Sequence, residues 1–387
     1  MNQMLAFFVI VLVIAAGEII ATRTRARIPS LFVAAILLIV GFWVVFPKDL
    51  LDKSGLPMLV TITTPIIVTS MGTMMSLKQI EEQWRALVVG FGTVVGIGLF
   101  LLTIYRAIYG LPIAVAAAAP ISGGLVAALI GENAMKAIGR PELGVLCVLF
   151  FVLQQLIGLP LMANVLRRYV TKNLDKINTK KETPVEEAIN PAERKLFPPL
   201  PKVYQTSFVL LAKVTFVAWL AYVVTGLTHG VINVSIIAII FGLIAYAIGF
   251  LEGDILTKSG TMTFFTLLLI VACFGPLSQA TPQLLLSFIG PIILGFVFGI
   301  AGMVIVSLIV GKLIGLDWEL SIAVSCTALD GFPFNYLVVQ EVAKGMARNE
   351  EERKAILDRI LPTVIVGGYA TVTIGSVIFA SIITKFL

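Results

Sequence analysis

The sequence predicts an all-α polytopic membrane protein built from two inverted repeats of five transmembrane helices plus one re-entrant hairpin each. Three observations lead there. Hydrophobic residues make up 58% and charged residues only 13% of the chain, with mean hydropathy +1.02, whereas soluble domains carry roughly 25% charge. Apolar runs of the length that crosses a hydrocarbon core roughly 30 Å thick recur along the chain. They are continuous and lack the alternation of a membrane β-barrel. Finally, the order of features in the first half starts again in the second.

In order, the expected spans are 4–22, 31–46, 57–76, 87–105 and 142–166, with an irregular segment, 110–139, before the fifth. The first run has no basic residue before it and Arg23, Arg25 and Arg27 after it, the reverse of a signal peptide, and is expected to stay as a span. The first repeat thus covers 1–166. A charged, proline-bearing linker occupies 167–204, and its composition suits a connection rather than a sensory domain. The second repeat covers 205–387, with spans at 206–226, 230–251, 259–277, 283–311 and 361–386 and an irregular segment at 315–343. The halves align by position: each irregular segment opens on Gly-Leu after a glycine-rich span, and Ser122 and Thr327 each lie twelve residues beyond that glycine.

Charge sets the orientation. With the N-terminus outside, the Arg23/Arg25/Arg27 loop, Lys78/Arg85, the basic linker and the Lys344/Arg348/Arg353/Lys354/Arg359 cluster all lie inside. The outer loops near His229 and at "SQATPQ" carry no lysine or arginine. Six full spans per half would put either the first arginine-rich loop or the linker outside. Five spans plus a hairpin satisfy the bias and place both termini outside and the linker inside. An odd span count makes the second repeat enter from the opposite side, the architecture of secondary transporters with interrupted helices near the midplane. The stretch "APISGGLVAALIGENAMKAIG" (119–139) then reads as a hairpin whose broken backbone lines a cavity.

Several segments resemble the bacterial sodium/glutamate symporter family and its sodium-coupled anion transporter relatives. They are "RIPSLFVAAILL", "IVTSMGTMMSLKQIEEQWRALVVG", "ISGGLVAALI", "AVSCTALDGFPFNYLVVQEVAKG" and "ILPTVIVGGYATVTIGSVI". Each is short, but their order runs through nearly the whole chain. The resemblance implies an elevator-type carrier in a prokaryotic cytoplasmic (inner) membrane, commonly a homodimer, in which one part of each repeat is scaffold and the hairpin-bearing part moves. Two departures stand out. The family's first hairpin continues Gly-Gly-His-Gly-Thr, whereas here Leu125-Val126-Ala127 follow Gly123-Gly124, and Asp330 occupies a position that is generally apolar in the family. They leave the fold expectation intact and open the substrate to another anion.

The expected function is therefore sodium-coupled uptake of glutamate or a related small carboxylate, with sodium as coupling ion and no other cofactor. A proton-coupled carrier or exporter of another organic anion or amino acid is the alternative, and a channel or membrane sensor lies further off. The substrate-binding candidates are Ser122, Gly123, Gly124, Thr327, Gly331 and Asn335, which supply hydroxyl, amide and main-chain groups at the two hairpin tips. An anion could be held there by N–H groups and positive helix ends without a fixed cation. The ion-binding candidates are Asp330, Ser70, Gly72, Thr73, Thr261 and Thr263, since hard cations prefer oxygen ligands.

Each has a plainer reading. Asp330 could cap a broken helix, the hydroxyls could bond to carbonyls of their own helices, and the small residues of 67–76 could allow close helix packing. Glu132 and Asn133 lie roughly 12 Å along a helix from the first turn and read as residues of the outer mouth. Glu18 is expected to pair with Arg25, Lys213 to snorkel or to serve as an anion's countercharge, and His229 to lie on the surface. At least one of Gln154 and Gln155 is expected to bridge helices, because adjacent amides do not share one groove. The three cysteines, Cys147, Cys273 and Cys326, read as packing residues and with one histidine form neither a disulfide framework nor a transition-metal site. No catalytic Cys–His arrangement and no nucleotide loop is present, so enzyme chemistry is not expected. The net charge of +6 is explained by topology rather than by a nucleic-acid partner.

Overall fold

The computed structural model describes residues 1–73, 81–179, 196–198, 200–227, 234–331 and 334–387. His229, Lys78, residues 180–195 and 199 of the linker and residues 332–333 of the second expected tip fall outside the described residues, as does the side chain of Cys273. The described chain is helical and contains no strand. Its main helices are α1 (Gln3–Arg23), α2 (Ser30–Val44), α3 (Leu56–Gly72), α4 (Trp84–Tyr109), α5 (Leu111–Ser122), α6 (Gly124–Ala137), α7 (Pro141–Thr179), α8 (Ser207–Leu227), α9 (Val234–Ala247), α10 (Met262–Phe274), α11 (Ile289–Ile314), α12 (Trp318–Asp330), α13 (Phe334–Met346) and α14 (Glu350–Phe386).

Among the described residues, α1, α4, α7, α8, α11 and α14 are long and apolar enough to cross a membrane, and the protein is membrane-embedded. The helices at the other four expected spans, α2, α3, α9 and α10, are shorter than the roughly 20 residues a full crossing needs.

Local chemistry explains the boundaries. Proline at the N-cap starts α2 (Pro29, ψ 146°). Left-handed Gly55 (φ 74°) leads into α3, which carries Pro57 in its first turn. Asn349 caps α14: its side chain accepts from the Glu352 N–H at 2.8 Å, while the Glu352 carboxylate accepts from the Arg348 N–H at 2.6 Å, a reciprocal cap. The helix expected over 142–166 runs on to Thr179 as α7. Tyr169 and Val170 are buried there, so the apolar face continues past the first arginines.

Two compact units are present, each drawing on both halves of the sequence. One comprises 1–7, 51–82 and 181–275, and holds α3, α8, α9 and α10. Its centre is the crossing of α3 and α9. A Cβ on Gly72 would lie 2.5 Å from the Ile239 carbonyl oxygen, and one on Gly242 2.1 Å from that of Thr69. Small residues are what let two backbones approach so closely. Lys213 of α8 pairs with Glu252 at 2.6 Å and lies over the Phe250 ring. Its charge is thereby compensated, rather than merely directed toward the interface as expected. Burial holds the carboxyl of Asp254, in the loop after α9, above the usual carboxylate range, opposed by a Thr257 hydrogen bond and the Lys258 charge.

The second unit comprises 8–50, 83–180 and 276–387 and contains both irregular segments. Two of its long helices, α4 and α11, cross where glycine meets glycine: a Cβ on Gly96 would sit 2.4 Å from the Gly302 carbonyl oxygen, and one on Gly302 2.3 Å from that of Gly96. Both helices end on glycines with positive φ, Gly110 (80°) and Gly315 (72°), and each glycine is followed by a shorter, largely buried helix, α5 or α12. Gly302→Val forces this crossing apart, because the obstacle is backbone, and a loss of about 1–3 kcal/mol is expected. Thermal unfolding in detergent should show a lower midpoint for Gly302→Val and no change for Gly226→Ala, where nothing lies within 4 Å of an added Cβ.

Candidate functional site

The first irregular segment is two helices joined by a break. Pro120 lies in the last turn of α5, Gly123 adopts φ 148°, ψ 124°, and Gly124 adopts φ 67° before α6 begins. These conformations suit glycine and few L-residues. α5 and α6 pack on each other, with Gly131 accommodating the methyl group of Ala119. The second irregular segment also breaks: α12 ends at Asp330, Gly331 takes φ 65°, and the chain resumes as α13 at Phe334. Residues 114–122 of α5 and 319–330 of α12 are buried throughout.

Both breaks meet the last span. Inside α14, Tyr369–Gly375 form a π-helical turn, a local widening that often accompanies function. A Cβ on Gly124 would lie 2.6 Å from Val372 Cγ1, and one on Gly331 3.5 Å from that same atom. A Cβ on Gly123 would contact Ser376 at 3.0 Å and the Val372 backbone at 3.1 Å. One side chain, Val372, therefore touches both breaks. Beside it the Thr327 hydroxyl lies 2.8 Å from that of Thr371, and Asn335 lies against Gly368, where an added Cβ would be 2.5 Å from its Nδ2. All six substrate-binding candidates are thus gathered around the π turn of α14. The Ser122 hydroxyl donates to the Ala119 carbonyl at 2.9 Å and that of Thr327 to Val324 at 2.5 Å, so both also follow the plainer reading.

Asp330 occupies the other side of the second break. It is only 4% exposed, and neither carboxylate oxygen has a hydrogen-bond partner. It does not cap α12 through its side chain. The carboxylate lies against α7, where an added Cβ on Gly158 would be 2.1 Å from Oδ1. The far end of α12 is tied to the same helix: the Arg168 guanidinium lies 4.9 Å from the Trp318 ring centroid, and Lys172 pairs with buried Glu319 at 3.2 Å. α12 therefore runs antiparallel to α7, and its C-terminal end points toward lower residue numbers on that helix.

Those next residues include Gln154 and Gln155, which are 0% and 1% exposed. All four of their side-chain polar atoms lack partners, so the expected interhelical hydrogen bond is absent. Both are buried. Gly158 lies three and four residues further on, and in projection its position falls between them. Sequence reasoning missed this cluster and the π turn. The available signal was a glycine one turn beyond two adjacent amides in an otherwise apolar span.

The remaining ion-binding candidates belong to the other unit. Ser70 donates to the Ile67 carbonyl at 2.7 Å and Thr73 to that of Ser70 at 2.6 Å, while Gly72 forms the α3–α9 crossing. The Thr261 hydroxyl is 2.7 Å from that of Ser259, and Thr263 is exposed. Packing or a local hydrogen bond involves Ser70, Gly72, Thr73 and Thr261. Elsewhere, Glu132 pairs with Lys136 at 2.5 Å and Asn133 is exposed. Glu18 is exposed, and among the described residues it forms no pair with Arg25. Cys147 and Cys326 are free and buried, and no group of three or more metal-binding side chains occurs among the described residues.

Compared with known proteins, the chain matches no family model and no curated sequence.

Proposed function

We propose that this protein is a secondary active transporter that couples sodium entry to uptake of glutamate or a related small carboxylate by an elevator-type alternating-access movement. The observation that carries the reading is the convergence of two interrupted helices on one side chain, Val372, beside a π turn and an unpartnered buried carboxylate. Interrupted backbone at membrane depth is tolerated where it is enclosed by protein or lines a substrate path. A break offers the positive end of one helix and the negative end of another within a few ångströms. An anion and a cation can therefore be held together. Each unit draws on both halves of the chain, and the similar placement of Gly96 with Gly302 and of Gly110 with Gly315 supports inverted repeats. The hairpin-bearing unit is the moving body in this reading. Lysine and arginine placement supports an inner-membrane topology with both termini outside and the linker inside, and the sequence resemblance supports a homodimer.

A proton-coupled carrier or exporter is the second reading, favoured by Asp330 itself, since a buried carboxylate without partners can also be neutralised by protonation. Uptake of labelled L-glutamate into proteoliposomes, with unlabelled carboxylates as competitors, tests both. Uptake that follows an inward sodium gradient is the expected result. Flux that follows pH and ignores sodium would select the second reading.

A further inference from the structure

Three buried polar side chains leave six oxygen and nitrogen atoms without partners: both carboxylate oxygens of Asp330, which lies against Gly158 of α7, and the four amide atoms of Gln154 and Gln155, one turn earlier on that helix. Buried polar groups are ordinarily hydrogen-bonded, and each exception calls for an explanation. Among the described residues no other group gathers so many. The largely apolar groove along α8, lined by Phe208, Leu211, Thr215, Phe216 and Trp219, has no charged group to select an ion. The Glu319 and Glu252 carboxylates each already hold a lysine.

We propose that Asp330, Gln154 and Gln155 form a binding site for one partly dehydrated sodium ion, enclosed between the end of α12 and the middle of α7.

Geometry supplies the first argument. Gly158 lets the Asp330 carboxylate lie directly on the α7 backbone. The antiparallel course of α12 along α7 directs the C-terminal end of α12, at Asp330, toward the stretch of α7 that holds Gln154 and Gln155. The two amides flank the row on which Gly158 lies, so their oxygens can reach the same space as the carboxylate.

Chemistry supplies the second. Hard cations are held by carboxylate and carbonyl oxygens, and here one negative charge faces neutral amides. That balance suits a monovalent ion. A divalent ion would remain under-compensated, and transition metals prefer the histidine and cysteine ligands that are not assembled here. Burial of the carboxylate without a counter-charge is costly in a membrane interior, and a bound cation removes that cost.

The site deepens the carrier reading and rests on it for its purpose, but binding can be measured without transport. A ligand that binds only the native state raises its apparent stability. The melting temperature of purified protein in lipid nanodiscs is followed by tryptophan fluorescence in sodium, potassium or choline chloride at constant ionic strength. The expected result is a saturable upward shift specific to sodium. Asp330→Asn should lose it, and Gln154→Leu and Gln155→Leu should each weaken apparent sodium affinity about tenfold or more, equivalent to 1.4 kcal/mol. Ser70→Ala should keep it. If Asp330→Asn does not fold, the two glutamine variants carry the same test.

A sodium shift that survives in Asp330→Asn or in both glutamine variants would overturn the site. So would a wild-type protein that ignores sodium, including one whose stability follows only pH through Asp330, which would make a proton the occupant. A sodium shift without carboxylate uptake would instead leave the site standing and remove the transport reading.

Discussion

Gly123→Ala is expected to lower the unfolding midpoint of the protein and, on the proposed carrier reading, to abolish sodium-driven uptake. Gly123 has φ 148°, where an L-residue is strained by about 1–3 kcal/mol. The added Cβ also meets Ser376 at 3.0 Å and the backbone of Val372 at 3.1 Å, so the break cannot stay against the π turn unchanged. Gly124→Ala separates the two causes. Its φ of 67° carries a cost of roughly 1–2 kcal/mol for alanine, and its Cβ would lie 2.6 Å from Val372 Cγ1. Val372→Ala removes that atom. A double-mutant cycle of Gly124→Ala with Val372→Ala should therefore recover the part of the stability loss due to contact and leave the part due to backbone strain. Additive losses would show that Val372 does not touch the first break. An unchanged midpoint in Gly123→Ala would show that the break is not held in this conformation.

The positions of the two breaks were legible because their chemistry is local. Pro120 with Gly123-Gly124, and Asp330-Gly331 in a buried setting, interrupt helices through proline sterics and positive φ, which short stretches of sequence carry. The long apolar helices were legible from composition for a similar reason. What lay hidden depends on partners distant in sequence. That the Ser70 hydroxyl donates to the Ile67 carbonyl, beside the close packing of α3 on α9, is something hydropathy does not encode. The helical extension to Thr179 depends on Tyr169 and Val170 finding a buried surface beyond the first arginines. That neither Gln154 nor Gln155 finds a partner on another helix was not legible, because a helical-wheel argument treats α7 alone. Once the missing side chain at Gly158 admits Asp330 of another helix, two amides 100° apart can flank one site.

Asp330→Ala is expected to yield a protein at least as resistant to heat as the wild type in sodium-free buffer, yet one without the uptake proposed for the wild type. A carboxylate buried without a partner costs free energy whether it stays charged or becomes neutral, on the order of 2 kcal/mol or more. Removing it relieves that cost at the expense of a small cavity. Gly158→Ala acts in the opposite direction. Its Cβ would lie 2.1 Å from Asp330 Oδ1, 2.7 Å from Cγ and 2.9 Å from the Leu329 Cβ, so α12 or the carboxylate must move, with a loss of about 1–3 kcal/mol. The two effects are coupled through one contact. In Gly158→Ala/Asp330→Ala the carboxylate clash is gone, and most of the stability lost in Gly158→Ala alone should return, while uptake stays absent. A residue kept for packing behaves otherwise: its removal lowers stability, and a second substitution beside it lowers stability further. If Asp330→Ala melts well below the wild type in sodium-free buffer, Asp330 is a structural group whose partner is present in the folded protein. If stability rises and transport disappears together, the carboxylate is held at a cost to the fold because the transport cycle requires it.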